Sequence, residues 1–160
     1  MLSPELVERL RTMPRLVLAC CGSLPRTEWA RPPSPGLFSL VEHCCHLRDL
    51  EEEGYTLRLR RMLRESGPTL DDFDGSAVAA RRAYPAQDPL AAAGAFAEAR
   101  AANLALLGSL DARAFARTAR FGEHGNITIA RLAALMDEHD ASHRQELVDL
   151  FEAHRRPFPG

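Results

Sequence analysis

Four stretches of this chain open with the chemistry that starts a helix, and between them strand-like alternation is scarce. A chain punctuated in this way buries its apolar residues by packing helix on helix. The first stretch starts at Ser3-Pro4-Glu5, where a serine can cap, a proline fits the first helical position and a glutamate suits the positive end of the dipole. Pro14 is expected to kink or break this helix, with the pattern resuming through Leu16, Val17 and Leu18 to about Leu24. After the proline-rich connection Pro25 to Gly36, Ser39-Leu40-Val41-Glu42 forms a capping box, and the helix it starts runs to about Glu65, ahead of Gly67 and Pro68. Asp88-Pro89 opens a third, alanine-rich helix ending near Leu110. A fourth starts near Thr128, with Ile129, Leu132, Leu135 and Met136, then Leu147, Leu150 and Phe151, keeping the helical period. Helices of roughly 20 to 28 residues would be about 30 to 40 Å long, the dimensions of a four-helix bundle. The two central connections are long for simple hairpins, so at least one crossover is expected in this all-α fold. The acidic stretch Thr69 to Asp74 reads as a loop or a short turn of helix; it lacks the full calcium-loop pattern.

The 160 residues fit one domain with one core, spanning 1–160, and no internal repeat divides them. No apolar run is seen to approach the roughly 18 residues of a membrane span, the longest candidate being Leu16 to Cys21. An acidic residue stands where a signal peptide would be basic, so a cytoplasmic protein without a membrane partner is expected. With a formal net charge of -2, the chain lacks the positive field of a nucleic-acid binder. The basic stretch Arg58 to Arg64 reads instead as a helix with Leu59, Met62 and Leu63 inward and its arginines fanned into solvent. Every basic residue is arginine, which removes Schiff-base chemistry and the P-loop lysine. The cysteines form two adjacent pairs, Cys20-Cys21 and Cys44-Cys45; neighbours on a helix diverge by about 100 degrees, a poor arrangement for chelation. Reduced thiols in the core are expected.

His139 and His143, four residues apart on the fourth helix, stack on one face so that both imidazoles can reach one ion. His46, about two turns into the second helix and on a stripe with Glu42 and Asp49, is the best third ligand, since bundles assemble such sites from facing helices. Three neutral imidazoles suit zinc, nickel, copper or iron and leave positions for water or a small-molecule substrate. The bland alternative is a set of partly buried histidines bonded to nearby acids. His43 competes for the same face, with a surface or supporting role more in keeping with its position. His124, in a glycine-flanked loop, is a candidate proton donor at the mouth of the site. His154 reads as a favourable charge at a helix end. Among the acids, Asp49, Glu138 and Asp140 are candidates to orient an imidazole, Asp49 first.

Phe38-Ser39-Leu40-Val41-Glu42 followed by His46-Leu47-Arg48-Asp49 resembles the DinB/YfiT-like family, in which an aromatic-Ser-x-x-Glu helix start precedes a His-Leu-x-Asp segment. Gly125 to Ile129 followed by His139 to Gln145 is similar to the other half of that motif, and Arg58-Leu59, Tyr84 and Arg100 fall at intermediate positions. Phe38 stands where the family commonly has tryptophan, and the Cys44-Cys45 pair is not a family feature. The resemblance implies a four-helix bundle with crossover topology, often a homodimer, binding Ni2+ or Zn2+ through His46, His139 and His143. Relatives include S-transferases that use a low-molecular-weight thiol, a thiol-dependent isomerase and members without known activity, so the resemblance does not carry a substrate. Two readings follow: a metal-dependent enzyme, either S-transferase or hydrolase, and a non-catalytic metal-binding module for stress response or dimerisation.

Overall fold

The computed structural model describes residues 2–160. Helix α1, Pro4–Ser23, is capped by Ser3, whose Oγ accepts from the Leu6 amide. Pro14 lies buried inside it and does not break it. A proline supplies no amide to the carbonyl four residues back, which here belongs to Leu10. That oxygen is satisfied from another helix, accepting from Nη1 of Arg100 at 3.0 Å. The expected break is absent because the orphaned acceptor has a buried donor.

The capping box forms as expected: the Glu42 amide donates to Ser39 Oγ and the Ser39 amide to Glu42 Oε2. It starts α2, Leu40–Asp49, which passes through a π-helical turn, Leu50–Tyr55, into α3, Thr56–Arg64. The widened turn had no signal in the apolar spacing; within it Leu50 packs against Gly54, its Cδ1 2.6 Å from where a Cβ would stand. Such turns inside a helix recur at functional sites.

The two long connections are more ordered than expected. The first contains β1, Thr69–Leu70, and helix α4, Gly75–Arg82, capped by Asp74. After α5, Pro89–Gly108, the second contains α6, Ala112–Phe115, then β2, Thr118–Phe121, and β3, Asn126–Thr128. β1 pairs parallel to β2 with Leu70 opposite Phe121, and β2 pairs antiparallel to β3 with Ala119 opposite Ile127. Both connections are therefore fastened into one small three-stranded sheet, whose short strands gave too little alternation to be read from sequence. Helix α7, Ile129–Ala153, capped by Thr128, completes a bundle of α1, the α2–α3 run, α5 and α7.

Two adjoining clusters form the core. One gathers Val17, Leu40, Phe96, Leu147 and Phe151; the other gathers Leu59, Met62, Leu107, Ile129, Leu132 and Met136. All four cysteines are buried free thiols in the first, with Cys21 Sγ 3.7 Å from Cys44 Sγ. Burial pushes Cys20 up to about 12 and Cys45 up to about 11.

α5 corrects the search for apolar runs. It is 20 residues long, and by length and composition it is long and apolar enough to cross a membrane. Here it packs against α1 and α2 and carries the buried Arg100. Arg100 donates to Glu51 Oε2 at 2.9 Å and to both carboxylate oxygens of Asp140, while Asn103 donates to Glu51 Oε1 at 2.8 Å. This network ties the π-helical turn, α5 and α7 together at one level of the bundle. Breaking such a buried pair by removing one partner typically costs about 3–5 kcal/mol.

Candidate metal centre

α2 and α7 bring His46, His139 and His143 together. The Nε2 of His139 lies 3.2 Å from that of His46 and 3.1 Å from that of His143. Zinc–imidazole bonds of about 2.0–2.1 Å place ligand nitrogens about 3.3–3.4 Å apart in tetrahedral geometry and about 2.9 Å apart at right angles. Both observed separations fall between these, so His139 stands at ligand distance from each of the other two rings, and all three ligand atoms lie within 4.8 Å of one another.

The electrostatics point the same way. Burial, helped by neighbouring His143, pushes His46 down to about 4 and His139 down to about 2, so both are neutral at ordinary pH and offer lone pairs. The Nδ1 atoms of His46 and His139 are buried with no hydrogen-bond partner among the described residues. No group of the described residues therefore fixes the tautomer of either ring, and each is free to turn an Nε2 lone pair toward the cluster.

His143 is held differently. Its Nδ1 stands 2.9 Å from Glu146 Oε2. An ionised carboxylate only accepts, so the proton sits on Nδ1 and the Nε2 lone pair faces the other two rings. The contact in turn holds the Glu146 carboxyl below its usual range. Glu146 was not among the sequence candidates, although its i,i+3 spacing from His143 is a legible signal. His43, given a surface or supporting role from its sequence position, is only 2% exposed and lies with Nδ1 3.0 Å from His143 Nδ1. Burial pushes it down to about 3. His43, His143 and Glu146 also form a compact group, on the opposite edge of the His143 ring from the first.

The three acids expected to orient an imidazole are committed elsewhere. Asp49 accepts from Arg48 Nε and Tyr84 Oη at 2.6 Å each and pairs with Arg82 Nη1 at 2.7 Å. Burial alone would raise its carboxyl, but those bonds hold it below the usual range. Glu138 pairs with Arg131 on the surface, and Asp140 belongs to the Arg100 network. Asp49 faces the packing of α4 against α2 because arginines from both sides outcompete a neutral ring for a buried carboxylate.

Gly75 is a second residue that sequence reading missed. A Cβ there would stand 2.5 Å from Cε1 and 2.7 Å from Nδ1 of His46, so the first residue of α4 lies flat against the ring. Its place depends on the course of the connection, for which there is no local signal.

A cleft of about 290 Å³ opens over the centre, walled by His46, His139, Tyr55, Arg58, Phe121 and His124. His124 thus reaches the mouth of the site, its ring 5.3 Å from that of Phe121. A second hollow of about 360 Å³ borders His43, His143 and Glu146. A third, about 580 Å³ between α1 and α5, is lined by residues such as Leu2, Leu104 and Phe115 and shares none with the histidine cleft. His154, read as a helix-end charge, is instead buried, its Nδ1 donating to the Leu150 carbonyl and its Nε2 accepting from Arg31.

Fold and site together define a helical bundle in which three histidines from two helices meet between two hollows, His46 and His139 lining one and His143 the other. The chain belongs to the DinB superfamily, whose family model matches residues 9–147. Among solved structures it is similar to YfiT from Bacillus subtilis, described as a probable metal-dependent hydrolase with an unusual four-helix bundle topology. The TM-score is 0.82 at 19% identity over 97% of this chain and 89% of that one, a likeness of fold. No curated protein matches.

Proposed function

We propose that this protein is a metal-dependent hydrolase whose divalent ion, nickel or zinc, is held by Nε2 of His46, His139 and His143. The observation that carries the reading is that three imidazoles from two helices meet within 4.8 Å of one another, two of them in the wall of a cleft. When bound, such an ion supplies Lewis acidity and activates water for attack at neutral pH. The protein's own groups do the rest. Glu146 fixes the tautomer of His143, Gly75 seats His46, and the Arg100–Asp140 network anchors the turn of α7 that carries His139 and His143. His124, at the cleft mouth, is the candidate to deliver a proton to a leaving group.

Hydrolysis is favoured over S-transfer by size. At about 290 Å³ the cleft lies at the small end of ligand pockets, suited to a small substrate and water rather than to a substrate together with a low-molecular-weight thiol. The buried free thiols suit a reducing cytoplasm. A homodimer belongs to the same reading, and light scattering at two concentrations tests it.

The test is turnover of small aryl esters and amides by metal-loaded protein, run without thiol and with bacillithiol, mycothiol or glutathione. Thiol-independent hydrolysis, lost on chelation and restored by the metal, is expected. Turnover only with a thiol identifies an S-transferase, and silence in every arm identifies a binding module.

A further inference from the structure

Two arginines of this protein are buried, and they are partnered in opposite ways. Arg100, 2% exposed, is closed on two carboxylates. Arg58, 6% exposed, has no carboxylate within ion-pairing distance among the described residues. Its Nε and Nη2 both donate to a single backbone oxygen, that of Asp71, at 3.3 and 3.0 Å. Its guanidinium lies over the ring of Phe121 at 4.4 Å and that of Tyr55 at 5.5 Å. The outward fan of arginines expected on this helix fails at Arg58, because the sheet folds Phe121 over it.

A guanidinium keeps its charge at any working pH, and a buried charge without a counter-charge is costly. Two aromatic faces and one carbonyl offset part of that cost. The acids nearest the cleft do not supply the rest. Asp72 turns its Oδ1 to the Phe73 amide and acts on Arg58 only at longer range, and Glu138 is paired with Arg131. Arg58, Tyr55 and Phe121 all line the cleft that also exposes His46 and His139. A cation of this kind beside a candidate metal centre, short of a counter-charge and framed by aromatic rings, is built to receive an anionic group.

We propose that Arg58 is the anion-binding residue of the cleft, and that the substrate is a small molecule bearing a carboxylate or phosphate group, which pairs with Arg58 while the bond to be cleaved lies against His46 and His139. The substrate class rests on the hydrolase reading above; the anion site itself does not. A charge-assisted, two-point contact in a desolvated cleft also selects by geometry, since a planar guanidinium matches the two oxygens of such a group.

The test compares metal-loaded wild type with Arg58→Gln and Arg58→Lys. Binding of glutarate and of inorganic phosphate is measured by calorimetry at pH 8, with glutaramide as the uncharged control, and repeated after chelation to separate the arginine from the metal. Hydrolysis of mono(4-nitrophenyl) glutarate is compared with that of 4-nitrophenyl acetate. Wild type should bind at least one anion in preference to glutaramide, before and after chelation. Arg58→Gln should lower that affinity, and the preference in kcat/KM for the anionic ester, by about tenfold or more. Arg58→Lys should recover only part of the loss. If anion affinity and ester preference are unchanged in Arg58→Gln, the proposal is overturned. Should both variants fail to fold, equal binding of glutarate, phosphate and glutaramide to chelated wild type overturns it instead. Loss of anion binding in Arg58→Gln with no turnover of either ester sustains the anion site and removes the hydrolase reading.

Discussion

Gly75 lies so close against His46 that a methyl group on its Cα would stand 2.5 Å from the imidazole Cε1. Helix α4 thereby acts as a backstop for a ring whose Nδ1 has no hydrogen bond to hold it.

Replacing Gly75 with alanine is expected to push the ring rather than the backbone, since the added carbon meets side-chain atoms. Groups that orient a metal ligand typically change affinity by about 10–100-fold when altered, and a loss in that range is predicted for Gly75→Ala. Competition with a chromophoric chelator measures it. An affinity equal to that of the parent would show that His46 does not depend on α4 for its position.

Glu146 and Asp49 should part company in the same assay. Glu146→Ala removes the acceptor that fixes the His143 tautomer, and a loss of about tenfold in metal affinity is expected. Asp49→Asn leaves Arg48, Arg82 and Tyr84 with a poorer partner, so it should cost about 1–3 kcal/mol in unfolding free energy and leave metal affinity little changed. Denaturant unfolding and chelator competition on both variants separate the two effects; a reversed pattern would restore Asp49 as the group that orients the site.

Acid should weaken the metal-free protein. An unfolded chain protonates its imidazoles near 6.5, whereas burial holds His46 at about 4, His43 at about 3 and His139 at about 2 in the folded state. Between those limits the unfolded state binds more protons, so stability is full above about pH 6.5 and falls as pH drops toward 4. Each such group contributes about 1.4 kcal/mol per pH unit in that window. Unfolding midpoints at pH 7.5, 6 and 5 in the presence of chelator check this, and a midpoint that stays level or rises as pH falls contradicts it.

Much of the bundle was legible in sequence because helix starts are local chemistry: Ser3, Ser39 and Asp88 cap the helices they were expected to cap, and the fourth starts at Thr128, where it was expected to start. The histidine pair on α7 was legible for the same reason, being fixed by helical spacing. What could not be read depends on where distant segments meet. Pro14 is tolerated because Arg100, on another helix, satisfies the Leu10 carbonyl. Arg58 is buried because Phe121, brought in by the sheet, closes over it. Asp49 was expected to serve an imidazole from its place one turn beyond His46, yet Arg82 and Tyr84, from the following connection, draw it away.

The central claim is that three imidazoles from two helices hold one ion, and the metal content of tag-free protein tests it most directly. Elemental analysis of the parent and of folded His46→Ala, His139→Ala and His143→Ala should give close to one divalent transition-metal ion per parent chain and near none in each variant. A parent without stoichiometric metal, or any one variant that retains the parent's full occupancy, would contradict the account.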